Sequence, residues 1–178
     1  MAYRAESPEV YYADGDIKLV SDSDIAFLKA RASENPRRRA RLCMHRDPQA
    51  AVHEMLIVHH RETYVRPHRH HGKGESFHVI EGHATVVLFD DDGTVIERIP
   101  IGAGENARPF YYRFEGGVPH TLLIESEWLV FHETTKGPFE RAHTEPMPWA
   151  PEESDPGAVR DYLRSLRESD RVDDKQKA

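Results

Sequence analysis

Between Val52 and Thr135 the chain divides into about eight short runs rich in β-branched and aromatic residues: Val52 to His59, Thr63 to His70, Glu75 to Glu81, Ala84 to Asp90, Val95 to Ile101, Glu105 to Phe114, His120 to Ser126 and Trp128 to Thr135. Turn-forming clusters such as Asp90-Asp91-Asp92-Gly93 and Gly116-Gly117 punctuate them. Short strands at this spacing predict an all-β fold, a double-sheet jelly-roll barrel. With 178 residues and 38% hydrophobic content, the chain can fill one such core and little more.

The flanks read differently. Residues 1–50 form an N-terminal arm and helix, 51–140 the barrel, and 141–178 a proline-rich linker, a C-terminal helix and a charged tail. Residues 1–20 suggest an arm or a short edge strand. Ser21-x-x-Asp24 can satisfy the first amides of a helix that places Ile25, Leu28 and Ala32 on one face and ends at Asn35-Pro36. Near the C-terminus Asp155 caps, Pro156 takes the first helical position, and Val159, Tyr162, Leu163 and Leu166 make an apolar stripe. The run Thr144 to Pro151 carries too many prolines for a central strand. The basic run Arg37-Arg38-Arg39-Ala40-Arg41 reads as a solvated or interface-facing segment, with anion binding as the alternative.

Chemistry concentrates in Tyr64-Val-Arg-Pro-His-Arg-His-His-Gly-Lys-Gly-Glu75. On an extended strand His68 and His70 leave the same face, and a glycine-containing loop then returns the chain so that Glu75 opens the next strand. The best fourth donor is His120, which follows a glycine turn and begins an apolar strand. Three imidazoles and one carboxylate suit one divalent transition metal ion, with zinc, iron, manganese, nickel and copper all compatible. The same parity places Tyr64 and Arg66 in the cavity with the histidines, Tyr64 as a proton-moving group and Arg66 as a cation for an anionic substrate.

His68-x-His70, four residues, Glu75, six residues and Gly82 resemble the first cupin motif, and Gly117-x-x-His120 the second. Glu62, Glu115 and Ile124 stand where the cupin pattern often has glycine, proline and asparagine. From about Asn35 to Phe139, through Asn35-Pro-Arg-Arg-Arg-Ala-Arg, His45, the Tyr64 run, Phe89-Asp-Asp-Asp-Gly93 and Gly137-Pro-Phe, the chain is similar to the WbuC-type cupin metalloproteins found beside bacterial surface-polysaccharide genes. The resemblance implies a cupin barrel and a metal, places His45 at the pocket, and puts Glu133 near the barrel mouth as a general base or an ordinary strand carboxylate.

Three functions follow as expectations: a metal-dependent isomerase or epimerase acting on a sugar-like or anionic polyhydroxylated small molecule, an iron-dependent dioxygenase, or a non-catalytic ligand-binding cupin. A net charge of -7 argues against a nucleic-acid partner. No apolar run is long enough to cross a bilayer, and the first residues lack the apolar core of a signal peptide, so a cytoplasmic protein without a membrane partner is expected. The single Cys43 excludes an internal disulfide. Uncovered apolar surface on the arm and the outer helix suggests a homodimer.

Overall fold

The computed structural model describes residues 2–104 and 108–176. In chain order its elements are β1 (Tyr3–Ala5), β2 (Val10–Ala13), α1 (Asp22–Glu34), β3 (Arg39–Cys43), β4 (Val52–His60), β5 (His68–His70), β6 (Glu75–Glu81), β7 (His83–Phe89), β8 (Val95–Gly102), β9 (Tyr111–Phe114), β10 (His120–Ile124), β11 (Trp128–Lys136), β12 (Thr144–Pro146) and α2 (Pro156–Gln176). They build a seven-stranded sheet, β1-β2-β3-β4-β11-β6-β9, and a five-stranded sheet, β12-β5-β10-β7-β8. Every pairing is antiparallel except β2 with β3. The fold is a double-sheet jelly-roll barrel.

Alternation along the strands explains why the two sheets face each other. Met55, Ile57, Phe77, Val79 and Phe131 of the larger sheet meet Val86, Leu88, Leu122 and Ile124 of the smaller one in a shared core. Both sheets also bury their outer faces, so several strands read as nearly continuous apolar runs. Leu28 and Ala32 of α1 cover Leu42, Leu56, Val58 and Val130. Leu163 and Leu166 of α2 cover Val87, Phe89 and Leu123 on the opposite side. The helix starts follow the sequence signals. The Ser21 amide donates to the Asp24 carboxylate at 2.7 Å, and Asp155 Oδ1 accepts from the amides of Gly157 and Ala158.

Five elements depart from the sequence reading. The basic run supplies β3, an interior strand of the larger sheet, because Ala40 and Leu42 alternate with Arg39 and Arg41 and pack under α1. The strand expected from Thr63 begins only at His68, since Pro67 has no amide to donate to a ladder. Thr144–Pro146 forms a strand despite its proline, at the edge of the smaller sheet where a missing donor costs no pairing. The start of the run Glu105 to Phe114 lies outside the described residues, and its strand begins at Tyr111. At the other end α2 reaches Gln176, past Asp170 where the sequence suggested a loose tail.

Gly82 joins β6 to β7 and passes the chain from one sheet to the other. It has φ +79°, and a Cβ there would lie 2.0 Å from the Trp128 carbonyl oxygen. Gly82→Ala is therefore expected to lower unfolding stability by about 1–3 kcal/mol from backbone strain alone, and by more through the clash, as measured by urea denaturation.

Candidate metal centre

The smaller sheet brings His68 and His120 together, because β5 and β10 pair with these two residues directly opposite. His70 lies two residues along β5 and faces the same way, with its Nε2 3.3 Å from that of His68. The larger sheet contributes Glu75 from the start of β6. Its Oε2 lies 3.1 Å from His70 Nε2 and its Oε1 3.2 Å from His120 Nε2. One ring nitrogen from each of the three histidines falls within 4.8 Å of the others. His70, Glu75 and His120 are buried, at 7%, 5% and 4% exposure.

The remaining ring nitrogens decide which way the donors point. The His68 Nδ1–H donates to the Arg66 carbonyl at 2.8 Å, and the His120 Nδ1–H donates to the Val118 carbonyl at 2.9 Å. His70 Nδ1 meets the Thr144 hydroxyl of β12 at 3.1 Å. Each Nδ1 is thus occupied by an outer partner and each Nε2 faces the cluster, and for His68 and His120 the carbonyl partner fixes the proton on Nδ1. His120 Nε2 is buried and makes no hydrogen bond. A buried ring nitrogen beside a carboxylate and two further imidazoles matches the donor chemistry of a metal site. The three histidines could hold a metal ion, and Glu75 lies against two of them.

The electrostatics keep the donors in ligating form. Burial, reinforced by the neighbouring His120, pushes the His68 imidazole down to about 4. Burial also opposes ionisation of Glu75, but its contacts with His120 and His70 outweigh that and hold the carboxyl below its ordinary range. Glu133 behaves oppositely. It shares the inward face of β11 with Phe131, one strand from Phe77, and burial together with the charge of Glu75 pushes it up to about 8. Tyr112 lies beyond Phe77 on β9. Its hydroxyl is buried without a partner, and the ring of its neighbour Phe114 sits 4.8 Å from that of His120.

Of the sequence candidates, His68, His70, Glu75 and His120 converge, and Glu133 stands on the inner wall beside them. Tyr64 and Arg66 do not join them. Tyr64 packs against Leu163 and Leu166 of α2 and donates to the Pro151 carbonyl. Arg66 pairs with Glu152 at 2.6 Å and donates to the Met147 carbonyl. Strand parity fails because residues 64–67 are not a strand: Val65, not its neighbours, contacts the inner core, and the chain re-enters the ladder only after Pro67. His45 stacks on His53 with ring centroids 4.0 Å apart. His53 is opposite Thr135, which in turn is opposite Glu75, so this pair stands two strands from the carboxylate at the same level of the barrel. Sequence reasoning missed Tyr112 and Thr144. The segment Phe110-Tyr111-Tyr112-Arg113-Phe114 has aromatics at both parities, so alternation alone could not say which face turns inward.

Residues 20–101 match a family model described as a domain of unknown function (DUF6016). No curated protein matches the chain. Among solved structures it is similar to a structural-genomics protein of Shewanella oneidensis, with 10% identity over 58% of this chain and 66% of that one and a TM-score of 0.47. It is also similar to the oxalate decarboxylase of Bacillus subtilis, with 19% identity over 61% and 27% of the two chains and a TM-score of 0.44. A third is a protein of Acidithiobacillus ferrooxidans designated provisionally a sugar phosphate isomerase, with 19% identity over 49% and 51% and a TM-score of 0.39. The chain covers less than two thirds of the length of each. No helix among the described residues is long and apolar enough to cross a membrane.

His59 sits inside the barrel away from the cluster, edge-on to Phe131. Burial pushes it down to about 3. An unfolded histidine titrates near 6.5, so between about pH 6.5 and 3 the unfolded chain binds a proton that the fold refuses. Stability should therefore fall as pH drops through that window. His59→Leu should retain a larger fraction of its pH 7.5 stability at pH 5 than the parent does, measured by urea denaturation at both pH values.

Proposed function

We propose that the protein is a metal-dependent cupin of the WbuC type in which His68, His70, Glu75 and His120 hold one divalent transition metal ion. We further propose that it catalyses an isomerase- or epimerase-type proton shift on a sugar-like or anionic polyhydroxylated small molecule, linked to surface-polysaccharide synthesis. The observation that carries the metal reading is the gathering of one ring nitrogen from each of His68, His70 and His120 within 4.8 Å of one another, with the Glu75 carboxylate against two of them. When bound, such an ion supplies Lewis acidity toward a substrate carbonyl or hydroxyl oxygen.

The chain's own residues supply the rest. The Arg66 and Val118 carbonyls and the Thr144 hydroxyl hold the imidazoles in one orientation, so the site is formed before substrate arrives. The donor set carries one negative charge, which leaves a divalent centre net positive and favours an electron-rich ligand. Glu133 is the candidate acid-base group. A carboxyl poised near neutrality both takes and returns a proton at working pH, which a carboxyl at its ordinary value does poorly. Tyr112 offers a second buried hydroxyl on the same wall. Tyr64 and Arg66 take no direct part in this scheme and act through the fold.

The test is metal analysis of untreated protein followed by assay with free and nucleotide-linked sugars. The parent should hold about one equivalent of transition metal, and His120→Ala should weaken metal binding by at least about a hundredfold. Glu133→Gln should keep the metal and lose turnover by about 10²–10⁴-fold, the range of general acid-base catalysis. A parent without bound metal after reconstitution overturns the metal reading. Full activity in Glu133→Gln overturns the role of that carboxyl.

A further inference from the structure

The basic run at the end of α1 contains four arginines, and three of them have carboxylate partners. Arg37 pairs with Glu9 at 3.1 Å and with Glu153 at 2.8 Å, Arg39 with Glu9 at 3.3 Å, and Arg38 reaches Glu62 at 3.7 Å. Arg41 is different. Among the described residues its side chain makes no hydrogen bond and no ion pair. The alternation of β3 puts Ala40 and Leu42 under α1 and turns Arg41 to the same side as Cys43, which belongs to the inner core. Its strand partners there are Ile57 and Val10, both in contact with that core. An exposed guanidinium therefore stands on the concave face of the larger sheet.

A second such cation comes from the loop that separates the metal-site donors. Lys73 lies between Gly72 and Gly74, after His70 and before Glu75. This loop packs against the turn that presents His120: the Gly117 amide donates to the His70 carbonyl at 3.0 Å, and a Cβ on Gly116 would lie 2.5 Å from the Lys73 carbonyl oxygen. Lys73 is partly buried, and among the described residues it too lacks a side-chain hydrogen bond or ion pair. Strand register brings both toward the same part of the inner face: the carbonyl of Gly74, next to Lys73, accepts from Thr135 Oγ1 at 3.0 Å, Thr135 is opposite His53, and Arg41 stands two residues along β3 from Cys43, whose partner Met55 is opposite Glu133. Leaving a partly buried ammonium without a counter-ion is costly unless something anionic takes that place. In a chain of net charge -7, these two cations without a carboxylate partner, both beside the inner face of the larger sheet, stand out.

Resting on the metal reading above, we propose that Arg41 and Lys73 are the anion-recognising residues of this same site. The ligand is a small molecule whose carboxylate or phosphate group lies between the two cations, beside the stacked His45 and His53, while its metal-seeking oxygen faces His68, His70, Glu75 and His120. Arg41 offers a planar fork suited to two oxygens at once, and Lys73 offers a point charge from the other side. The role that parity assigned to Arg66, a cation beside the substrate, belongs to these two residues. The ligand therefore enters with its charged end toward β3 and not toward β5.

The experiment uses full-length protein loaded with Co²⁺ and titrated calorimetrically with inorganic phosphate and, separately, with succinate. The cobalt absorption spectrum reads metal binding independently. Arg41→Gln and Lys73→Gln should each weaken anion binding by about tenfold, the loss of one charge-assisted contact, and the double variant by more. The cobalt spectrum and metal affinity should stay within about twofold of the parent, since neither residue is a metal ligand, and glycerol as a neutral control should show no difference among the variants. Binding of one anion and not the other identifies the charged group. Parent and variants binding both anions equally, or a parent that binds neither at millimolar concentration, overturns the proposal. Loss of cobalt binding in the parent, with anion binding still dependent on Arg41 and Lys73, would sink the metal reading and leave the anion site standing.

Discussion

Two adjacent backbone pairings hold the chemistry of this barrel in place. His120 of β10 faces His68 of β5 and Leu88 of β7 in the same ladder, so the ring of His120 is placed by inter-strand hydrogen bonds and not by a flexible loop. Glu75 comes from the facing sheet, and its carboxylate spans the gap by contacting His70 and His120 together. A shift of one residue in β5 or β10 would turn a histidine to the wrong side of its sheet, because strand side chains alternate. The register of two short strands thus decides whether a donor cluster exists at all. The outer helices matter to the site because α2 braces the face of the sheet that carries β10 and β7.

Charge in the interior divides into two regions. At the histidines, burial disfavours a charged His68 imidazole, while contacts with His120 and His70 hold the Glu75 carboxyl below its ordinary range. On the inner wall, Glu133 feels both burial and the charge of Glu75, and resists ionisation. Two carboxyls a strand apart are thereby pushed in opposite directions, one toward ligation and one toward proton transfer, which is how a single cavity supports different roles for one residue type. Arg41 and Lys73 act on the second region. Arg66 is held by Glu152 and Arg39 by Glu9, whereas Arg41 and Lys73 have no carboxylate partner among the described residues.

The jelly roll was legible in the sequence because alternation and turn residues repeat many times, and each repetition constrains the next. The donor set was legible for a related reason. His68, His70 and Glu75 are local, and only His120 had to be found at a distance, from a glycine turn before an apolar strand. The failures are equally physical. Tyr64 and Arg66 were assigned by extending a strand through Pro67, where the ladder does not form, and their side chains went to α2 and the linker. Arg39 and Arg41 hid a strand because charge at alternate positions masks the apolar ones between them. Tyr112 was hidden by aromatics on both of its neighbours' faces.

The sequence by itself determined the class of fold, the two capped helices and the three histidines that could hold an ion, since these depend on periodicity, capping and motif spacing. Only the tertiary structure decided which carbonyl or hydroxyl holds each Nδ1, that Glu133 shares the inner face with Phe77 and Met55, and that Arg41 faces the inner side of the larger sheet while Arg66 is turned away. Those outcomes depend on the register between strands far apart in the chain and on how one proline interrupts a ladder. No local window contains that information, because it arises only when two sheets close over a common core.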